Sequence, residues 1–158
     1  MMPNKRVYDI KIAIERLRNY CALQDKCQWD VIQKMQEWGL LKISQDHILE
    51  LLIQEKYVDE ERYSRSFCRG KFRIKKWGKI KITNELKKKY ISEVCITKGL
   101  EEIIDSEYQE ELDKQYHKKN ATLKEKNLFI KKKKIAVYLI SKGYESNLVW
   151  DKLRELKE

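Results

Sequence analysis

The sequence predicts an all-α protein: three tandem three-helix repeats in an elongated, slightly curved array. Three observations carry this. The 158 residues include five Gly and a single Pro, and that proline is Pro3, so almost nothing interrupts a helix beyond the first few positions. Lys, Glu and Leu, all strong helix formers, are abundant. A weak internal repeat with a period of about 50 residues points to an array of similar units rather than one irregular globule. The apolar set makes up 42% of the chain, enough to build a core despite 38% charged residues.

The repeat rests on a shared pattern. Met35-Gln36-Glu37-Trp38-Gly39-Leu40 is followed by Ile48 and Leu52. Leu86-Lys87-Lys88-Lys89-Tyr90-Ile91 is followed by Ile96 and Leu100, and Leu139-Ile140-Ser141-Lys142-Gly143-Tyr144 by Val149 and Leu153. Each copy has an apolar residue, a turn position four later, an apolar residue after it, and an i,i+4 apolar pair opening the next helix. Gly39 and Gly143 stand where a helix end needs a left-handed residue, and Tyr90 fills that place less well.

The first repeat, residues 1–58, predicts helices over 8–24, 29–38 and 45–56. Ile10, Ile14, Leu17 and Cys21 give the first its 3.6-residue stripe. The second, residues 59–105, predicts helices over 60–76, 79–89 and 93–104, with Tyr63, Phe67 and Phe72 on the core side and Glu60-Glu61 favouring the helix start through the dipole. The third, residues 106–158, predicts helices over 107–125, 128–142 and 146–157. Ser44 and Ser92 are N-cap candidates. Ser106 with Gln109 resembles a capping box.

Charge is unevenly distributed. The net charge is +10, yet residues 62–90 hold twelve Lys/Arg against one acid, Glu85, so the excess belongs to that stretch. A solvated helix face usually mixes signs at i,i+4 because like charges repel there. Unmixed charge points to an anionic partner, with plain solubility as the alternative. The run Lys131–Lys134 opens a later helix, is diluted by nearby acids, and reads equally well as a solvated face.

Catalytic chemistry has no foothold in the sequence. No GxxxxGK[ST], GxSxG or HExxH occurs, so no catalytic residue is predicted. Cys21, Cys27, Cys68 and Cys95 form no CxxC pair, and His47 and His117 stand alone, which argues against a metal site. Cys21 and Cys68 read as small core residues. No cofactor is implied. No apolar run approaches a membrane span and the first residues have no leader-like apolar region, so a cytoplasmic protein without a membrane partner is expected. Nothing calls for an obligate dimer, and a monomer is expected. Trp38 and Trp150 read as core anchors. Trp77, inside the basic stretch, either stacks on bases or is buried at a bend between helices.

Arg62-Tyr63-Ser64-Arg65-Ser66-Phe67, then Lys71, Arg73, Trp77-Gly78-Lys79-Ile80-Lys81-Ile82, Glu85-Leu86 and Ile91-Ser92, resemble the signature region of the RecX family. Tyr20-Cys21, Val31, Met35 and Trp38-Gly39 resemble its first repeat, and Tyr138-Leu139 with Lys142-Gly143-Tyr144-Glu145 its last. The likeness runs from about residue 8 to 157; Tyr90 departs from it, where family members commonly carry Gly. It implies a non-enzymatic protein that binds the RecA–DNA filament and restrains ATP hydrolysis, strand exchange or filament growth in DNA repair and recombination. The matching positions for contact with filament or with single- or double-stranded DNA are Arg65, Arg69, Lys71, Arg73, Lys75, Lys76, Lys79 and Lys81. A stand-alone helical nucleic-acid-binding regulator and an adaptor for an acidic protein remain open alternatives.

Overall fold

The computed structural model describes residues 9–156, which form nine α-helices and no strand. They are α1 (Ile10–Leu23), α2 (Gln28–Glu37), α3 (Lys42–Gln54), α4 (Glu60–Arg73), α5 (Lys79–Lys88), α6 (Glu93–Leu100), α7 (Asp105–Thr122), α8 (Leu128–Ser141) and α9 (Ser146–Arg154). They follow one another as three triplets, as expected for an all-α array of three-helix repeats. No helix among the described residues is long and apolar enough to cross a membrane.

Helix ends follow a recurrent rule. After α2, α5 and α8 the left-handed residues are Gly39, Tyr90 and Gly143, with φ of 75°, 60° and 100°. The next residue then donates back to a carbonyl at the start of the last turn: Leu40 to Met35, Ile91 to Leu86 and Tyr144 to Leu139, each at 3.2 Å. Lys56 and Lys76 also adopt φ of 62°, after α3 and α4. Tyr57 donates to Leu52 at 2.9 Å, so the same closure serves four helices, while after α4 Trp77 donates one residue further back, to Lys71 at 3.1 Å. Tyr90 is 82% exposed, so its ring contributes little burial to offset a backbone region that disfavours a Cβ. Tyr90→Gly is therefore expected to stabilise the protein by about 1 kcal/mol, seen as a higher urea midpoint at unchanged m-value. An unchanged or lower midpoint would show that the left-handed residue carries no penalty here.

Capping agrees with the sequence in one place and departs from it in two. The Ser92 hydroxyl accepts from the Cys95 N–H at 3.2 Å, as an N-cap should. Ser44 is not an N-cap: α3 starts at Lys42, with Leu41 alone between the end of the Schellman turn at Gly39-Leu40 and the helix. Ser106 is inside α7, whose N-cap is Ile104 without a side-chain bond. Trp38 is buried as expected, whereas Trp150 is 39% exposed, at the edge of the α9 face that buries Val149 and Leu153.

Two cores organise the molecule. Ala13, Leu17, Cys21, Val31, Met35, Trp38, Ile48 and Leu52 form one within α1–α3. A second, continuous core runs through α4–α9, from Tyr63, Cys68 and Phe72 to Leu139, Tyr144 and Leu153. Cys27, just before α2, reaches from the first triplet into this second core.

The last two triplets meet backbone to backbone. The Gly78 N–H donates to the Lys142 carbonyl at 2.8 Å and the Ile80 N–H to the Gly143 carbonyl at 2.9 Å. The Tyr144 hydroxyl donates to the Lys76 carbonyl at 2.9 Å, and the Lys79 N–H to the Tyr108 hydroxyl at 3.0 Å. Tyr108 in turn stacks near Phe72 and Tyr144, with ring centroids 5.7 and 5.3 Å away. The bend that carries the basic residues is thus clamped from behind by the third triplet.

Candidate functional site

The site grows out of the α4–α5 bend. α4 begins with Asp59, whose carboxylate accepts from the Arg62 N–H at 2.9 Å, and with Glu60 and Glu61 in the first turn. It ends with Lys71 and Arg73 in the last turn, where cations complement the helix dipole. Lys76 closes the helix in the left-handed region and Gly78 caps α5, so the chain reverses within a few residues. The reversal brings Lys71 of α4 and Lys81 of α5 over the same ring: their Nζ atoms stand 5.0 and 4.6 Å from the centroid of Trp77. Trp77 is half-buried against the core. Both ammonium groups thus stand within cation–π reach of one ring.

The eight cations singled out by the sequence do not share one environment. Arg65 pairs with Glu61 at 3.3 Å and with Glu101 and Glu102 at 3.5 Å, and Arg69 pairs with Glu102. Lys76 lies 3.8 Å from Glu111 and Lys79 3.5 Å from Asp105. Arg73 lines a cleft with Glu107, Glu110 and Glu111 of α7. Lys71, Lys75 and Lys81 make no ion pair among the described residues. Acids at the end of α6 and along α7 thus compensate one part of the basic stretch and leave the other uncompensated.

Two of the three, Lys71 and Lys75, border a cleft of about 310 Å³ between the first and second triplets, which Asp25 and Asp30 also line while paired to Arg62 and Lys89. Lys71 and Lys75 line it from α4, with Tyr63, Phe67 and Gly70, and Lys26 lines it from the α1–α2 connection. Lys26, which charge density along the chain did not single out, sits with its Nζ 4.6 Å from the Tyr20 ring centroid. No short sequence pattern links it to Lys71 and Lys75; only the meeting of the α1–α2 connection with α4, where Arg62 reaches Asp25, does.

Other cations of the stretch are structural. Arg62 donates to Asp25 at 3.0 Å and to the carbonyls of Lys56 and Tyr57 at 3.0 and 3.2 Å, tying the end of α3 to α4. Lys89 donates to Asp30 at 2.9 Å and to the Tyr63 hydroxyl at 3.1 Å. Asp30 is only 11% exposed, so this pair bridges two triplets in a partly dry setting. Burial disfavours the Lys89 charge, but the bonds to Asp30 and Tyr63 outweigh it and hold the ammonium well above its ordinary range. At the same junction burial pushes the Glu60 carboxyl up to about 7, with Asp30 and Asp59 adding to the effect against a Gln28 backbone bond.

Two sequence profiles match this part of the chain: that of the RecX second three-helix domain over residues 59–100, and that of the RecX third three-helix domain over residues 105–153. The chain belongs to the RecX family. These matches span α4–α9, the helices that share the larger core and carry the clamped bend. The regulatory protein RecX of Prosthecochloris aestuarii is 26% identical over 154 residues, covering 94% of this chain and 95% of that protein. The RecX of Lactobacillus johnsonii is 26% identical over 98 residues, 62% of this chain and 36% of its own length. Among solved structures, RecX from Lactobacillus salivarius superposes with a TM-score of 0.81 at 20% identity, covering 92% of this chain and 94% of that one. A second crystal structure of regulatory protein RecX gives 0.83 at 21% identity, covering 93% and 73%. Both share the fold of this RecX-family chain.

Proposed function

We propose that this RecX-family protein is a non-enzymatic, negative modulator of the RecA recombinase, binding the RecA–DNA filament and restraining its ATPase, strand exchange or growth. The observation that carries the reading is the uncompensated group Lys71, Lys75 and Lys81: the bend brings Lys71 and Lys81 to the Trp77 ring, and Lys75 lies with Lys71 on the cleft that Lys26 lines from the first triplet. Of the eight positions named from sequence, Arg65, Arg69, Lys76 and Lys79 then act chiefly by holding the helices in place, while Arg73, which makes no ion pair among the described residues, borders a cleft with the acids of α7. The free lysines make charge-assisted contacts with phosphate or with acidic recombinase surface. A rigid array reaching across more than one recombinase subunit restrains the rearrangements that nucleotide turnover needs. In this reading the protein works as a monomer in the cytoplasm, without cofactor.

The test is the ATPase rate of the cognate recombinase on single-stranded DNA as this protein is titrated in. The rate is expected to fall and to level off at saturation, with filaments shortened or stalled. No change in rate or filament length at saturating protein would sink the proposal. Strong binding to naked DNA with none to the filament would favour an independent nucleic-acid-binding regulator.

A further inference from the structure

The third triplet carries a surface that the basic bend does not explain. Along α8, Ile130, Val137 and Ile140 fall on one helical face and all three are exposed, Val137 by 62%. Large exposed apolar stripes on a soluble domain mark places where something docks. Here the stripe borders a groove of about 510 Å³ between α8 and the end of α7, walled by Leu123, Ile130, Val137 and Tyr138. Its rim is cationic: Lys119 and Lys133 line it and make no ion pair among the described residues.

We propose that this groove receives an amphipathic helix of a partner protein, its apolar face in the groove and acidic residues flanking that face. An apolar concave wall selects a helix by anchors at i, i+3, i+4 and i+7. The lysine rim sets the sign of the flanks. A second copy of this chain is disfavoured, because a two-fold pairing of the same face would set the same lysines against each other. A nucleobase is disfavoured as well: the ring of Tyr138, the groove's one aromatic wall, already has the Lys119 and Lys142 Nζ atoms 5.0 and 5.7 Å from its centroid. The chemistry of the occupant stands on the groove alone. Its assignment to a recombinase subunit rests on the function proposed above.

Two measurements separate those two statements. The first uses a fluorescent amphipathic peptide of about 18 residues with Leu anchors and Glu flanks, and a twin with Lys in place of Glu. The acidic peptide is expected to bind and the basic twin not to. Val137→Glu should weaken binding at least about tenfold, and Val137→Ser should weaken it less, reflecting lost apolar contact alone. Val137, the one site changed, is solvent-facing, and circular dichroism verifies that the helices persist. Equal binding of the two peptides, or indifference to Val137→Glu, overturns the proposal. So does concentration-dependent dimerisation of the peptide-free protein that Val137→Glu abolishes, which would assign the face to a second copy. The second measurement is filament co-sedimentation with Val137→Glu. Retained filament binding alongside lost peptide binding would place the helix on a different partner. Failure of the wild-type protein to sediment would instead count against the proposed function, leaving the peptide result intact.

Discussion

Gly78→Ala is expected to separate the third triplet from the second and to cost ~4 kcal/mol or more, among the larger effects a single methyl group can produce. A Cβ built at Gly78 would stand 2.2 Å from the Gly143 carbonyl carbon, 2.3 Å from its oxygen and 2.3 Å from the Tyr144 nitrogen. All three are backbone atoms, so no side chain can swing aside. Relief requires moving the α8–α9 turn bodily, which breaks the Gly78-to-Lys142 and Ile80-to-Gly143 hydrogen bonds and pulls Tyr144 from Lys76. Because the two triplets share one core, the loss propagates to the whole unit α4–α9. Gly70→Ala is the control: it is inside α4 and its added methyl meets nothing within 4 Å. Helix propensity alone should make that change neutral or stabilising by up to ~1 kcal/mol. Urea unfolding followed by circular dichroism compares the two. A Gly78→Ala midpoint close to wild type would mean the triplets do not need this backbone approach.

Replacing Lys71, Lys75 and Lys81 together with Ala should abolish most of the salt-sensitive part of filament binding while leaving the fold intact. None of the three has an ion-pair partner to strand among the described residues, so the cost to stability is small. If each lysine meets one phosphate, the slope of log affinity against log salt should fall by about two to three. The matched triple variant Arg65→Ala, Arg69→Ala, Lys79→Ala should behave in the opposite way. It leaves the partly buried Glu102 without its two arginine partners, lowers the melting temperature, and changes the slope little. Co-sedimentation across a salt series reads both. Equal slopes for the two variants would show that binding does not distinguish free from paired cations, and the assignment to the bend would fall.

Much of the fold was legible without coordinates, and for a local reason. Helix propensity, the near-absence of Gly and Pro, and the apolar stripes act over a few residues, so nine helices and their order could be read from windows of the chain. The left-handed closures at Gly39 and Gly143 were legible too, and Tyr90 shows the pattern persisting where its preferred residue is missing. Ser44 and Ser106 misled because both helices begin before them, α3 at Lys42 directly after the turn at Gly39-Leu40 and Leu41, and α7 at Asp105, so each serine falls inside the first turn.

Sequence alone determined that the protein is an all-α member of the RecX family and that its positive charge is concentrated in residues 62–90. Which of those charges are free was decided only by tertiary structure. Lys89 finds Asp30 fifty-nine positions away, and Arg69 finds Glu102 thirty-three positions away. Coulomb attraction acts through space across a few ångströms, whereas a charge count along the chain records only sequence neighbours. The same holds for the cleft that joins Lys26 to Lys71 and for the contact of Gly78 with Gly143: both exist because separate helices pack, and no local pattern encodes that meeting.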